Sequence, residues 1–325
     1  MNRFLSFLLL SFILTNSFAI NGNQLCVEEI ALNYLYETVN DTIFWNKIHA
    51  IEFLIDLGFN EDIDVILDEL ECNYENIPQK RIGCWRCRVK NEKNTDKKNR
   101  YIEKIFQVYT NPNSSDIIHA IESLAKLSVS LKNIPRPALY DSAKNNICNA
   151  YLNWSSIYPD SPVSCIDYSA LFKTLQSDNS DYRRIMAYGL KFLGKMEGKP
   201  WRNVAEKAIN QLAEYPFSTY LLSGALSTCP EKERKSRYTD LIKQKLKILA
   251  KGNESINQYE AYVALGNFAD QEDFNFIKKE FLKLYSCKNG AEFDRNKKDV
   301  LSAISYALLK TSDHKQYIGK YLITN

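Results

Sequence analysis

Ile48-His49-Ala50-Ile51-Glu52-Phe53-Leu54-Ile55-Asp56-Leu57 returns seventy residues further on as Ile118-His119-Ala120-Ile121-Glu122-Ser123-Leu124-Ala125-Lys126-Leu127. Ile, His, Ala, Ile and Glu recur in a row, followed by two matching leucines. Self-similarity at this separation marks an array of stacked units, each too small to bury its apolar face alone. Within the first copy Ile48, Ile51, Leu54, Ile55 and Phe59 follow the three-and-four spacing of one buried helix face. No stretch carries the period-two alternation of a strand, so the sequence predicts an all-α fold.

The repeat extends beyond these two copies as a recurring small residue inside apolar helical segments: Ala50, Gly83, Ala120, Ala187, Gly224, Ala261 and Ala303. Successive spacings are 33, 37, 67, 37, 37 and 42. The longest is close to two units, with the intervening one near Ala150 in Asn149-Ala150-Tyr151-Leu152. A small residue at a fixed position implies that one helix of each unit packs closely on its neighbour, where a bulky side chain would cost about 1–3 kcal/mol of overpacking. Gly58-Phe59-Asn60, Asn76-Ile77-Pro78, Asn111-Pro112-Asn113 and Gly198-Lys199-Pro200 supply turn signals between helices, and Asp116 stands where an N-cap precedes the second copy.

Ala50-Ile51-Glu52-Phe53-Leu54 with Leu57-Gly58, Ala120-Ile121-Glu122-Ser123-Leu124 with Leu127, and the weaker Ala261-Tyr262-Val263-Ala264-Leu265-Gly266 resemble the HEAT-like family of helical repeats. The resemblance implies a right-handed α-solenoid of about eight HEAT-like helix pairs spanning residues 20–325, a curved superhelix with a concave partner-binding surface. It is informative about fold and nearly silent about function.

Residues 1–19 read as an export signal: Arg3, an apolar run from Phe4 to Leu14, then Ser17 and Ala19 as the small residues before cleavage. The run is shorter than the roughly 20 residues that span a bilayer. The expected destination is therefore exported, periplasmic or secreted. Lys and Arg number 42 against 39 acidic residues. Loss of Arg3 leaves 41 against 39, a net charge of +2, which argues against nucleic acid as a partner. All eight cysteines follow the leader, and either buried thiols or a few disulfides fit their wide scatter. Four N-glycosylation sequons occur, at Asn40, Asn113, Asn153 and Asn253; they carry meaning only in a eukaryotic secretory pathway.

His49 with Glu52 and His119 with Glu122 are spaced to share a helix face, the spacing of helical His–carboxylate metal sites. The metal-binding member of the family it resembles, deoxyhypusine hydroxylase, uses adjacent His-Glu dipeptides, and this chain has none. The pairs therefore read as repeat consensus, and no metal or other cofactor is expected. Cys84-Trp85-Arg86-Cys87 has redox-centre spacing but lacks the βαβ surroundings, which favours packed or disulfide-bonded thiols. Trp45 and Trp85 are the better candidates for a functional aromatic surface. With no phosphate loop, nucleophile elbow or hydrolase motif, no catalytic residue is assigned. The expectation is a non-enzymatic protein-interaction scaffold using Trp45, His49, Glu52, Trp85, His119 and Glu122. The alternative is a glycan-binding or glycan-processing accessory of the cell envelope.

Overall fold

A computed structural model describes residues 26–135, 142–160, 165–212 and 214–312. The expected leader, 1–19, and His314 lie outside the described residues. Among them are fifteen α-helices and no strand, so the all-α expectation holds.

The helices alternate between an outer and an inner layer. The outer ones are α1 (Val27–Val39), α3 (Asn60–Tyr74), α5 (Thr95–Thr110), α8 (Tyr168–Leu175), α10 (Lys199–Asn210), α12 (Arg237–Ala250) and α14 (Phe274–Tyr285). The inner ones are α2 (Phe44–Leu57), α4 (Lys80–Asn91), α6 (Ile117–Lys126), α7 (Ser142–Ser155), α9 (Ser180–Gly189), α11 (Phe217–Ser227), α13 (Ser255–Phe268) and α15 (Arg295–Thr311). No outer helix lies between α6 and α7 among the described residues.

Burial follows this division. α11 is buried at every residue, and α15 from Val300 to Leu309. An inner helix touches protein on several sides, so its sequence is apolar or small nearly all round. Outer helices bury one stripe: only Ile63, Leu67 and Leu70 in α3, and only Ile277 and Phe281 in α14, each at three- or four-residue spacing. Gly58 ends α2 in the left-handed conformation, and the Gly58 and Phe59 amides close back on Ile55 and Leu54 at 3.0 Å. Asp116 does stand at the N-cap of α6, but its carboxylate is taken by Arg81 of α4 at 2.8 and 3.1 Å instead of capping its own helix.

Every recurrent small residue, including the inferred Ala150, falls on an inner helix, one on each. A methyl group on Gly224 of α11 would come within 2.5 Å of Leu190, just past α9, and one on Gly266 of α13 within 2.8 Å of the Ala307 backbone in α15. The period thus records close packing between successive inner helices.

α2, α4, α6, α7, α9, α11, α13 and α15 pack in succession, and α15 then packs on α1 and α2. His49 pairs with Asp299 at 3.2 Å, Lys298 with Asp41 at 2.8 Å, and the Lys310 ammonium donates to the Asp56 carbonyl at 3.0 Å. The Tyr306 hydroxyl also donates to the Asp56 carboxylate. These pairs ascend together along α2 and α15, so the two helices run parallel. The last inner helix therefore meets the first. The array is a closed ring; the concave face of an open solenoid has become the wall of an axial cavity.

Candidate functional site

Along the ring axis lies a cavity of about 1210 Å³ to which all eight inner helices contribute. It is larger than the ~300–1,000 Å³ typical of small-ligand sites. The lining of α15 runs from Asn296 in its first turn to Lys310 in its last, a rise of about 21 Å at 1.5 Å per residue. Three layers follow from the parallel inner helices: a rim of N-terminal turns, a middle belt, and a rim of C-terminal turns.

The middle belt carries the chemistry. Glu52 of α2 accepts from Arg86 and Lys90 of α4, both at 2.8 Å, and Arg86 also donates to Ser123 of α6 at 3.0 Å. Glu122 of α6 pairs with Lys126 one turn above at 2.7 Å. Glu260 of α13, 2% exposed, accepts from Lys191 beyond α9 at 2.9 and 2.8 Å. The Lys191 ammonium also sits 4.0 Å from the centre of the Tyr188 ring, a cation–π contact. The lysines stand toward the C-terminal ends of the inner helices, where the helix dipoles favour positive charge.

Burial opposes the charge on Glu52, but Arg86, Lys90 and Lys126 outweigh it and hold the carboxyl well below the usual range. Glu122 is likewise held low against burial, by Lys126 and Arg86. Burial pushes the Lys126 ammonium down, with Glu122 opposing. Both carboxyls are therefore ionised at neutral pH, and neither is kept protonated as a general acid would be.

Around these pairs stand Tyr151 of α7, Tyr188 of α9, Tyr220 of α11 and Tyr259 of α13. Burial, and then Glu122 for Tyr151 and Glu260 for the other three, drives all four hydroxyls up. They are neutral donors and acceptors, and none makes a hydrogen bond to a protein group among the described residues. Tyr306 differs: its hydroxyl is occupied by Asp56 and, at 2.5 Å, Asn267.

The wall as a whole is electrically balanced. Its cations are Lys90, Lys126, Arg184, Lys191, Lys195 and Lys310; its anions are Glu52, Asp56, Glu122, Glu254, Glu260 and Asp299. The formal charges of the lining cancel in number, and it presents many hydrogen-bonding groups beside aromatic faces.

Of the residues singled out from the sequence, His49, Glu52 and Glu122 line the cavity, and Trp45, Trp85 and His119 do not. Trp45 stacks on His119 with ring centres 5.5 Å apart. Trp85 is 6% exposed and packs with Ile105, Tyr109 and Ile121 in a separate apolar cluster. The two His–Glu pairs do not face a common point: His49 turns to Asp299 across the ring closure, and His119 lies 3.8 Å from Glu122 on its own helix. No group of three His, Cys, Asp or Glu residues is placed to hold a metal ion among the described residues. Cys84 and Cys87 lie within α4 and are buried, with no disulfide at either. Burial, followed by Glu71, pushes the Cys84 thiol up to about 12, and burial with Glu52 drives Cys87 up as well. Both are protonated thiols, the opposite of an activated redox pair.

The tyrosines, Lys191 and Glu260 were not foreseen. Their signal is register: Tyr151 and Tyr188 each follow the small residue of their unit, and Glu260 precedes Ala261. Polar or phenolic residues beside the small position of an otherwise apolar helix mark the axial side, but only once the array is known to close. No family model matches this chain, and no curated protein is significantly similar to it. No helix among the described residues is long and apolar enough to cross a membrane.

Proposed function

We propose that this protein binds a short, uncharged, hydroxyl-rich ligand of the oligosaccharide class in its axial cavity. The observation that carries this reading is the set of unpartnered tyrosine hydroxyls, Tyr151, Tyr188, Tyr220 and Tyr259, gathered from four helices around the Glu260–Lys191 and Glu122–Lys126 pairs. Sugars present apolar C–H faces that pack on aromatic rings and vicinal hydroxyls that bond carboxylate–ammonium pairs. The formal charges of the lining cancel in number, so it carries no net charge to draw an ionic ligand, and its length of about 21 Å suits a linear chain. The reading is of binding alone. Ring closure also favours it over a protein scaffold, since the surface an open solenoid offers a partner is here turned inward. An exported protein, periplasmic or secreted, would meet such ligands outside the cell.

Titration with neutral di- to tetrasaccharides, followed by calorimetry and by tryptophan fluorescence, tests the proposal; Trp154 reports on the site because its ring centre lies 6.0 Å from that of Tyr188. Saturable binding is expected, weakened at least tenfold by Glu260→Gln and several-fold by Tyr259→Phe. A panel that gives no heat and no fluorescence change at millimolar ligand would refute it.

A further inference from the structure

The four sequons do not have equal access. Asn40, Asn113 and Asn253 are exposed, and each lies in a connection from an outer helix to the next inner one: α1 to α2, α5 to α6, and α12 to α13. The hydroxyl residues that complete these sequons also sit outside regular helix or at its first position. Thr42 and Ser115 are exposed, and Ser255 opens α13. Asn153 is different. It lies inside α7, followed by Trp154 and Ser155, both 0% exposed, and the Ser155 hydroxyl donates to the Val129 carbonyl at 2.6 Å. Accepted sequons belong to surface loops of secreted proteins, and Asn153, followed by a buried, hydrogen-bonded serine at the end of a helix, lacks that setting.

The inner helices run parallel. Thr219 and Ser223 of α11 meet Asn257 and Glu260 of α13 in ascending order, as Gly83 and Arg86 of α4 meet Trp45 and Glu52 of α2. All outer-to-inner connections therefore lie on one face of the ring. Asn253 is also on the rim of the axial cavity at that face.

We propose that Asn40, Asn113 and Asn253 are N-linked oligosaccharide attachment sites and that Asn153 is not, so that all the carbohydrate stands on the face of inner-helix N-termini. At each site the asparagine amide nitrogen attacks the anomeric carbon of a polyisoprenoid-pyrophosphate-linked oligosaccharide. The new N–C bond replaces the C–O bond, the pyrophosphate leaves with its electron pair, and the amide gives up one proton. A glycan on Asn253 stands over the end of the cavity formed by inner-helix N-termini and leaves the end that carries Lys310 clear of carbohydrate. The assignment does not depend on what the cavity binds.

The full chain, produced in a secreting eukaryotic cell, is digested with a peptide N-glycosidase and mapped by mass spectrometry, alongside the four single Asn→Gln variants. Three mobility steps are expected; Asn40→Gln, Asn113→Gln and Asn253→Gln each remove one, and Asn153→Gln removes none. A glycan on Asn153, or an unmodified asparagine at any of the other three positions, overturns the assignment.

Discussion

Replacing Arg86 with methionine removes the cation that joins three inner helices. Arg86 is 3% exposed and spans from Glu52 of α2, at 2.8 Å, to Ser123 of α6, at 3.0 Å. Methionine keeps the stem's volume and removes the charge and its donors. Breaking a buried ion pair by deleting one partner costs about 3–5 kcal/mol. Lys90 still reaches Glu52 at 2.8 Å, so a cost at or just below the bottom of that range, about 2–3 kcal/mol, is expected at pH 7. At ~2–4 °C per kcal/mol for chains of 150–250 residues, that is a fall of roughly 5–10 °C in Tm. The pH dependence is the sharper test. In the parent, Glu52 has a lowered pKa, so its stabilisation is complete above the ordinary carboxylate value and is lost as pH falls through the lowered one. In the variant, burial acts on Glu52 with weaker opposition, and its pKa rises. Acid then relieves the variant by protonating Glu52 before the parent loses its pair. The stability gap should therefore narrow between pH 7 and about pH 4.5. Urea unfolding at both pH values measures it, with Glu52→Gln/Arg86→Met recovering part of the loss. A variant within ~0.5 kcal/mol of the parent at pH 7, or a gap that does not change with pH, would refute the reasoning.

Gly266→Ala should destabilise the ring by about 1–3 kcal/mol despite alanine's better helix propensity, because its methyl would meet the Ala307 backbone at 2.8 Å. Gly83→Ala, whose methyl meets only aromatic edges at 3.3 Å, should cost less, and thermal melts of the pair rank the two contacts. Folded protein treated with a maleimide near neutral pH should label Cys72, Cys165 and Cys287, while Cys84 and Cys87 stay unmodified until denaturant is added; rapid labelling of either would contradict their burial. Asp56→Ala should loosen the ring closure by removing the carboxylate that takes the Tyr306 hydroxyl and pairs with Lys310 at 3.2 Å, seen as faster amide exchange in α15 and α1 before the rest of the molecule.

The helical class, the unit length and the inner-helix positions could be read from the chain alone. Ala50, Ala120 and their counterparts recur because close packing between neighbours restricts side-chain size at one position per unit of the array, a local demand that leaves a period in the sequence. His49, Glu52 and Glu122 were legible for the same reason, as repeated neighbours of that position. The closure was not legible, because it depends on the angle each unit adds, and a few degrees per unit separate an open spiral from a ring. Once α15 meets α2, one face of every inner helix becomes cavity wall, and Tyr151, Tyr188, Tyr220 and Glu260 become neighbours although they are spread over more than a hundred residues. Trp45 and Trp85 stood out in the sequence through their type, but packing turned them toward His119 and the apolar interior. The all-α class and the small residue on one helix of every unit were written in the chain, because both are local demands; which side chains share the axis follows only from how the whole array of helices comes round to close.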